Sequence, residues 1–222
     1  MASPVDHMVW VGLKRYFAVQ AVSWRGVLKR LLPMLALLTL SATAMAQGSS
    51  MPWPLTDQQW QQVTALRGIA TQPGMNVPAL YVFFDPDCPW CATLWETRLN
   101  GKSFKDVPAV WVPVTYLTSN SLGKAAALLR SGAKVALEQN FHHYDTEHRS
   151  GGIIPVKASD SERKALGQAK ALWLQLGGAT PMFVYRTATG KTLIYLGLPK
   201  DPAQLTAIVQ SLAVSRLSNY PD

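Results

Sequence analysis

The first clear alternation of apolar and polar positions after the N-terminal region begins at Thr56. Thr56-x-x-Gln59 has the form of a capping box, and Trp60, Val63 and Leu66 follow at helical spacing, with Ile69 extending the stripe and Gly68 as the stop. A Pro/Gly loop from Thr71 to Pro78 leads into Ala79 to Phe84, a run of β-formers that reads as a buried strand. The period then lengthens. Cys91, Leu94, Trp95 and Leu99 share one face of a helix, Glu96 and Arg98 lie off it, and Asn100-Gly101 is the stop, so Cys91 faces inward and Cys88 outward. Ala109 to Leu117 is a second strand, where Pro113 has no N–H to donate and so marks an edge or a bulge.

A polar run, Thr118 to Ser121, opens a mostly helical stretch: Leu122 to Ser131 stopped by Gly132, then Lys134 to about Tyr144, then a loop through Gly151-Gly152. The capping box Ser159-x-x-Glu162 starts a third helix with Leu166, Ala169, Trp173 and Leu176 inward, ending at Gly177-Gly178. Met182 to Arg186 and Lys191 to Tyr195, joined by a glycine-containing loop, read as a hairpin, and Asp201-Pro202 caps a last helix bearing Leu205, Ile208, Val209 and Leu212. Trp60, Trp95 and Trp173 fall at core positions. A strand, a crossover helix and a strand imply parallel pairing, and the hairpin adds antiparallel strands. The expected class is α/β: a thioredoxin-like fold with a mixed central sheet, helices on both faces, and a helical insertion at about 119–178 between the C-x-x-C half and the hairpin.

With 222 residues, 48% of them hydrophobic and 15% charged, the chain suits one globular domain plus something extra at the front. Arg25, Lys29 and Arg30 precede the apolar run Leu31 to Leu40, and Ala44-Met45-Ala46 offers a small-residue cleavage site before Gln47, so residues 25–46 read as a secretory signal peptide. The alternative is an uncleaved membrane anchor, but the apolar core falls below the ~20 residues that span a bilayer, which predicts export without stable membrane insertion after cleavage. Residues 1–24 form an N-terminal extension of unassigned status, 47–78 a linker with one helix, and 79–217 the catalytic domain. Five of the 21 basic and one of the 13 acidic residues precede Gln47, leaving a net charge of +4 after it. Those charges are interspersed, with no aromatic-basic stripe, which argues against a nucleic-acid partner.

The chain has two cysteines, both in one C-x-x-C, so no disulfide framework is available and the only internal disulfide is the reactive one. At the start of a helix the first sulfur, Cys88, meets unpaired N–H groups and the positive end of the helix dipole, which favour its thiolate. Cys91 lies one turn on, placed to attack a mixed disulfide at Cys88. Pro89 suits the first turn, where a missing N–H costs nothing. Trp90 is a candidate for tuning the potential or contacting substrate. Asp85 and Asp87 flank the nucleophile; a carboxylate there should raise the Cys88 pKa, and the alternative reading has one of them capping the helix. His142, His143 and His148 read as surface residues rather than metal ligands. Residue 92 is Ala, not the His of a haem-attachment motif, and no cofactor is expected.

Phe84-Asp85-Pro86-Asp87-Cys88-Pro89-Trp90-Cys91, then Gly178-Ala179-Thr180-Pro181, then Gly197-Leu198-Pro199 resemble the DsbC/DsbG family of exported thiol:disulfide interchange proteins, DsbG most, over about Leu80 to Val209. The resemblance implies that Cys88 attacks and Cys91 resolves, that Pro181 is a cis-proline facing them, and that Thr180 presents backbone to the substrate chain. It also implies cysteine-containing envelope proteins as clients, handled by reductase, isomerase or sulfenic-acid reductase chemistry, and a membrane thiol reductase such as DsbD as electron donor. Family members carry an N-terminal dimerisation domain where this chain has Gln47 to Pro78, so a monomer is expected and isomerase action is weakened. Two further readings stay open: a DsbA-like oxidase that donates its disulfide, which Pro89 permits and Thr180 and the acidic flanks oppose, and a non-enzymatic chaperone or assembly factor of an envelope complex.

Overall fold

The computed structural model describes residues 52–72 and 78–213. Residues 1–24 and the segment 25–46, read from its pattern as a signal peptide, lie outside the described residues. In chain order the elements are β1 (Trp53–Pro54), α1 (Asp57–Thr64), β2 (Ile69–Ala70), β3 (Leu80–Phe84), α2 (Pro89–Glu96), β4 (Arg98–Leu99), β5 (Lys102–Ser103), a 3-10 turn (Phe104–Asp106), β6 (Val110–Pro113), α3 (Ser121–Ser131), α4 (Lys134–His142), α5 (Asp160–Gln175), β7 (Met182–Arg186), β8 (Thr192–Leu196) and α6 (Pro202–Gln210). Six strands form one mixed sheet in the order β1-β8-β7-β3-β6-β2, with β3 and β6 parallel and the other pairs antiparallel.

β3 is apolar at every position because both faces of the sheet are covered there. Leu80, Val82 and Phe84 point into a core shared with Leu94, Trp95, Leu128, Leu137, Phe141 and Ile208. Tyr81 and Phe83 point the other way, against Trp60, Val63, Leu172 and Trp173 of α1 and α5. This is the period-2 alternation of a strand, with a helix layer to receive each set of side chains. The capping boxes at Thr56/Gln59 and Ser159/Glu162 are both formed, and Asp201 accepts from the Ala203 N–H at the start of α6.

Several boundaries differ from the pattern-based reading. α1 stops at Thr64, and Ile69 leaves the helical stripe to pair with Trp111 as part of β2. Gly68 is therefore not a helix stop; a Cβ there would lie 2.5 Å from Val110 Cγ1 and 2.8 Å from the Trp111 carbonyl oxygen, so glycine permits the chain to lie close against β6. α2 ends at Glu96, because Thr97 turns extended at φ −60°, ψ 133°. Asn100 and Gly101, at φ 48° and 81°, form the two-residue turn of the β4–β5 hairpin instead of a helix stop. The second strand is shorter than Ala109 to Leu117. Pro113 sits at its end, where Val114 N–H bonds the Phe84 carbonyl at 2.8 Å and β2 reaches only Val110 and Trp111, so no partner lies opposite its missing donor. Trp53-Pro54, read as part of a polar lead-in, adds an edge strand against Leu193 and Ile194. No helix among the described residues is long and apolar enough to cross a membrane.

Beneath α2 the first core is largely aromatic. Trp95 and Phe141 approach Trp111 at centroid distances of 5.1 and 5.5 Å, and Phe84 meets Trp111 edge-on at 5.4 Å. Trp111 thus ties β6 to the helix that carries the cysteines. Trp111→Ala is expected to cost about 3–5 kcal/mol, seen in urea unfolding as a lower midpoint with an unchanged slope.

Candidate active site

β3 delivers the chain through Asp85-Pro86-Asp87 to Cys88, the N-cap residue of α2, with Pro89 in the first turn. No side chain caps this helix. The Cys88 carbonyl accepts from the Cys91 and Ala92 N–H groups at 3.1 Å, closing the first turn. The Thr180–Pro181 peptide bond is cis and brings Thr180 against the first sulfur. In the thiol form Cys88 Sγ donates to the Thr180 carbonyl at 3.7 Å; the Thr180 hydroxyl donates to Sγ at 3.3 Å. Cys88, Cys91, Thr180 and Pro181 are thus brought together. Cys88 does not face outward as the helical pattern suggested: it is only 2% exposed, because the Thr180 segment closes over it.

The two thiols, both free, are electrostatically unequal. The Cys88 pKa falls from 9.0 to about 7, chiefly through a hydrogen bond from the Cys91 thiol, with smaller help from Thr180 and the Cys91 and Trp90 N–H groups and against the cost of burial. Cys91 is fully buried and goes the other way, well above 9.0, because of that burial, its bond to Cys88 and the Cys88 charge. Cys88 is therefore the sulfur that ionises more readily, and Cys91 keeps its proton as the hydrogen-bond partner of Cys88.

The expectation that Asp85 or Asp87 raises the Cys88 pKa or caps α2 is not met. Asp85 turns away from the helix: Oδ1 accepts from Asp87 N–H (2.9 Å) and Ser121 Oγ (2.8 Å), and Oδ2 from Tyr116 N–H (2.8 Å) and Leu117 N–H (3.1 Å). Burial raises its pKa against those bonds, and its charge acts on Cys91 rather than Cys88. Asp87 is equally occupied. Its Oδ1 takes Lys124 Nζ at 2.5 Å and Gly151 N–H at 2.9 Å, Oδ2 takes the Thr118 hydroxyl, and both members of the Asp87–Lys124 pair are buried.

These partners come from the segment after β6 and from the helical insertion, and the sequence pattern did not single them out. Asn140 Nδ2 donates to the Pro86 carbonyl and the Tyr144 hydroxyl to that of Asp87. At Gly151 a Cβ would fall 2.2 Å from Asn140 Oδ1 and 2.4 Å from the Pro86 carbonyl oxygen, so only glycine allows this loop to dock. Tyr116 was also missed. Its hydroxyl lies 2.5 Å from Thr180 Oγ1, and its ring packs on Trp173 at 4.7 Å. The signal available for it was faint: a single aromatic at the end of an apolar run.

Trp90 projects away from this cluster, 62% exposed, and with Pro89, Phe141, Tyr144 and Arg149 lines an open groove of about 520 Å³ between α2 and the insertion. His142 pairs with Glu96 at 3.0 Å and His148 with Asp145 at 2.7 Å, both at the surface. Among the described residues no group of three His, Cys, Asp or Glu side chains is arranged to hold a metal ion.

No protein-family model matches the chain. A thiol:disulfide interchange protein DsbG from Pseudomonas aeruginosa is 28% identical over 158 residues, which cover 70% of this chain and 60% of that protein. The chain is similar to that DsbG in sequence over this stretch and spans less than two thirds of its length. Among solved structures, a linker-deletion variant of ScsC from Proteus mirabilis superposes with a TM-score of 0.52 at 19% identity, covering 87% of this chain and 96% of that one. ScsC in a transitional conformation superposes at 0.51 and 21%, covering 85% and 89%. At these identities the likeness speaks for the thioredoxin-like fold alone.

Two outcomes follow from the site's electrostatics. The rate of alkylation of the reduced protein should rise with pH along a single titration near 7, as Cys88 becomes thiolate above that pH, with Cys91 unlabelled; mass mapping of the labelled protein checks this. Lys124→Met leaves the Asp87 carboxylate buried without its cation and should cost about 3–5 kcal/mol, while Asp87→Asn combined with Lys124→Met should recover part of that loss in urea unfolding.

Proposed function

We propose that the protein is an exported thiol:disulfide oxidoreductase that works as a DsbG-like reductase on cysteines of envelope proteins. The observation that carries the exchange chemistry is the division of labour within the dithiol, with Cys88 lowered to about 7 and held by Thr180 and Cys91 buried and kept protonated, while the similarity to DsbG supports the reducing direction. The Cys88 thiolate attacks one sulfur of a client disulfide, forming a mixed disulfide and releasing the other client sulfur as a thiolate that takes up a proton. Cys91 then loses its proton and attacks Cys88 Sγ, closing the Cys88–Cys91 disulfide and expelling the second client sulfur, which is protonated in turn. The client gains two electrons and the protein loses two. On a client sulfenic acid the first attack expels the hydroxyl, which leaves as water with one proton, and the second step is unchanged. A membrane thiol reductase of the DsbD kind would return two electrons and two protons to the Cys88–Cys91 pair.

The same reading takes residues 25–46 as a signal peptide, 47–78 as a linker, 79–217 as the catalytic domain, the periplasm as the location and a monomer as the working unit. The groove beside Trp90 offers client chain a surface next to the nucleophile. A second reading, a DsbA-like oxidase, is favoured by one observation. Stabilising the Cys88 thiolate stabilises the reduced form, and that makes the disulfide a stronger oxidant.

The test is the state of the Cys88–Cys91 pair in cells, by acid quench and alkylation with a mass-adding reagent. A mostly reduced pair is expected; a mostly oxidised pair transfers the assignment to the oxidase. Cys88→Ser should abolish interchange activity, and Cys91→Ala should accumulate mixed disulfides with clients. Full interchange activity in Cys88→Ser would remove both readings.

A further inference from the structure

The Thr180 hydroxyl has one proton and two lone pairs, and two neighbours compete for them. Cys88 Sγ lies 3.3 Å away and the Tyr116 hydroxyl 2.5 Å away. A thiolate sulfur can only accept. Once Cys88 is ionised, the Thr180 proton goes to sulfur, and the short contact with Tyr116 is then satisfied only with the phenol as donor to Thr180 Oγ1. The direction of the whole chain is set by the charge at its end.

We infer that Tyr116 is a positioning residue for the nucleophile: its phenol donates to the Thr180 hydroxyl and so commits that hydroxyl to donating to the Cys88 sulfur. Three contacts fix the phenol for this role. Asp85 Oδ2 holds the Tyr116 N–H at 2.8 Å. The ring rests on Trp173 at a centroid distance of 4.7 Å, with 30° between the planes. The indole N–H of Trp173 in turn holds the Ala179 carbonyl at 2.7 Å, so one side chain sets both the donor ring and the peptide that carries Thr180. Burial and the nearby Cys88 charge raise the Tyr116 pKa, which keeps the phenol a proton donor through the range in which Cys88 titrates. A donor chain polarised in this way stabilises thiolate more than the terminal hydroxyl alone. It acts twice in thiol exchange: on Cys88 as the attacking sulfur, and on Cys88 as the leaving sulfur when Cys91 resolves the mixed disulfide.

The inference rests on the proposed role of Cys88 as the reactive thiol, but its test needs no client. The pH titration of thiolate ultraviolet absorbance is recorded for the reduced full chain and for Tyr116→Phe, Thr180→Val, Thr180→Ser and the double variants. Tyr116→Phe keeps the ring on Trp173 and removes only the donor, and is expected to raise the Cys88 pKa by about half a unit. Thr180→Val should raise it further, Tyr116→Phe should add nothing in that background, and Thr180→Ser should restore both the lower value and its sensitivity to Tyr116→Phe. An unchanged titration in Tyr116→Phe, or an equal shift with and without the Thr180 hydroxyl, overturns the inference. A chain that shows this coupling but no interchange activity would overturn the proposed function and leave the inference standing.

Discussion

The N-terminus of α2 has to stay open. Its backbone N–H groups and dipole act on Cys88 Sγ only if no oxygen takes them first, and Cys88 itself occupies the position where Ser, Thr, Asp or Asn normally caps a helix. Two carboxylates stand within three residues of that point. A carboxylate at a helix start gains about 0.5–2 kcal/mol, so Asp85 and Asp87 would compete with the sulfur if they were free to turn. They are not free: Asp85 receives four hydrogen bonds and Asp87 three, almost all from elsewhere in the chain. Much of the architecture around the site exists where those bonds need it.

This gives the helical insertion a physical role beyond that of a spacer. α3 contributes Ser121 to Asp85 and Lys124 to Asp87, the segment before it contributes Thr118 to Asp87, and the loop after α4 contributes the Gly151 N–H to Asp87 and the Ser150 hydroxyl to the Lys124 ammonium. Burying an ion pair is expensive, and it is sustained here because the remaining lone pairs and protons also find partners. Asn140 and Tyr144 complete the attachment through the backbone carbonyls of Pro86 and Asp87. The loop that presents Cys88 is therefore clamped from the insertion side, while Thr180 and Tyr116 hold the sulfur from the other.

Between those clamps the two cysteines diverge. Cys88 gains donors, among them its own partner, and Cys91 is left in an apolar interior where ionisation is unfavourable. A dithiol arranged in this way has one sulfur that ionises near neutral pH and one that holds its proton. Asp85 connects the halves of this arrangement: its charge works against ionisation of Cys91, while its carboxylate fixes the backbone of Tyr116 beside the Cys88 site.

The sequence by itself determined the order of the longer strands and helices, the α/β class, the two capping boxes, the burial of Trp60, Trp95 and Trp173, and the helix-start position of Cys88, because each of these is written in local periodicity or short-range capping chemistry. Local reading failed where a distant strand decides a local conformation. Ile69 and Gly68 belong to a helix by pattern and to the flank of β6 in space, and Asn100-Gly101 ends a helix by pattern but turns a hairpin in space. The site divides along the same line. Cys88 and Cys91 are legible because their spacing is their chemistry. Tyr116, Lys124 and Gly151 are not, because each acts on a partner 31 to 64 residues away, through a contact that exists only once β3, β6 and the insertion have packed. Tertiary structure also decided the fate of the aspartates: next to a helix start they should cap it, and long-range donors bound in a low-dielectric interior outweighed that local preference.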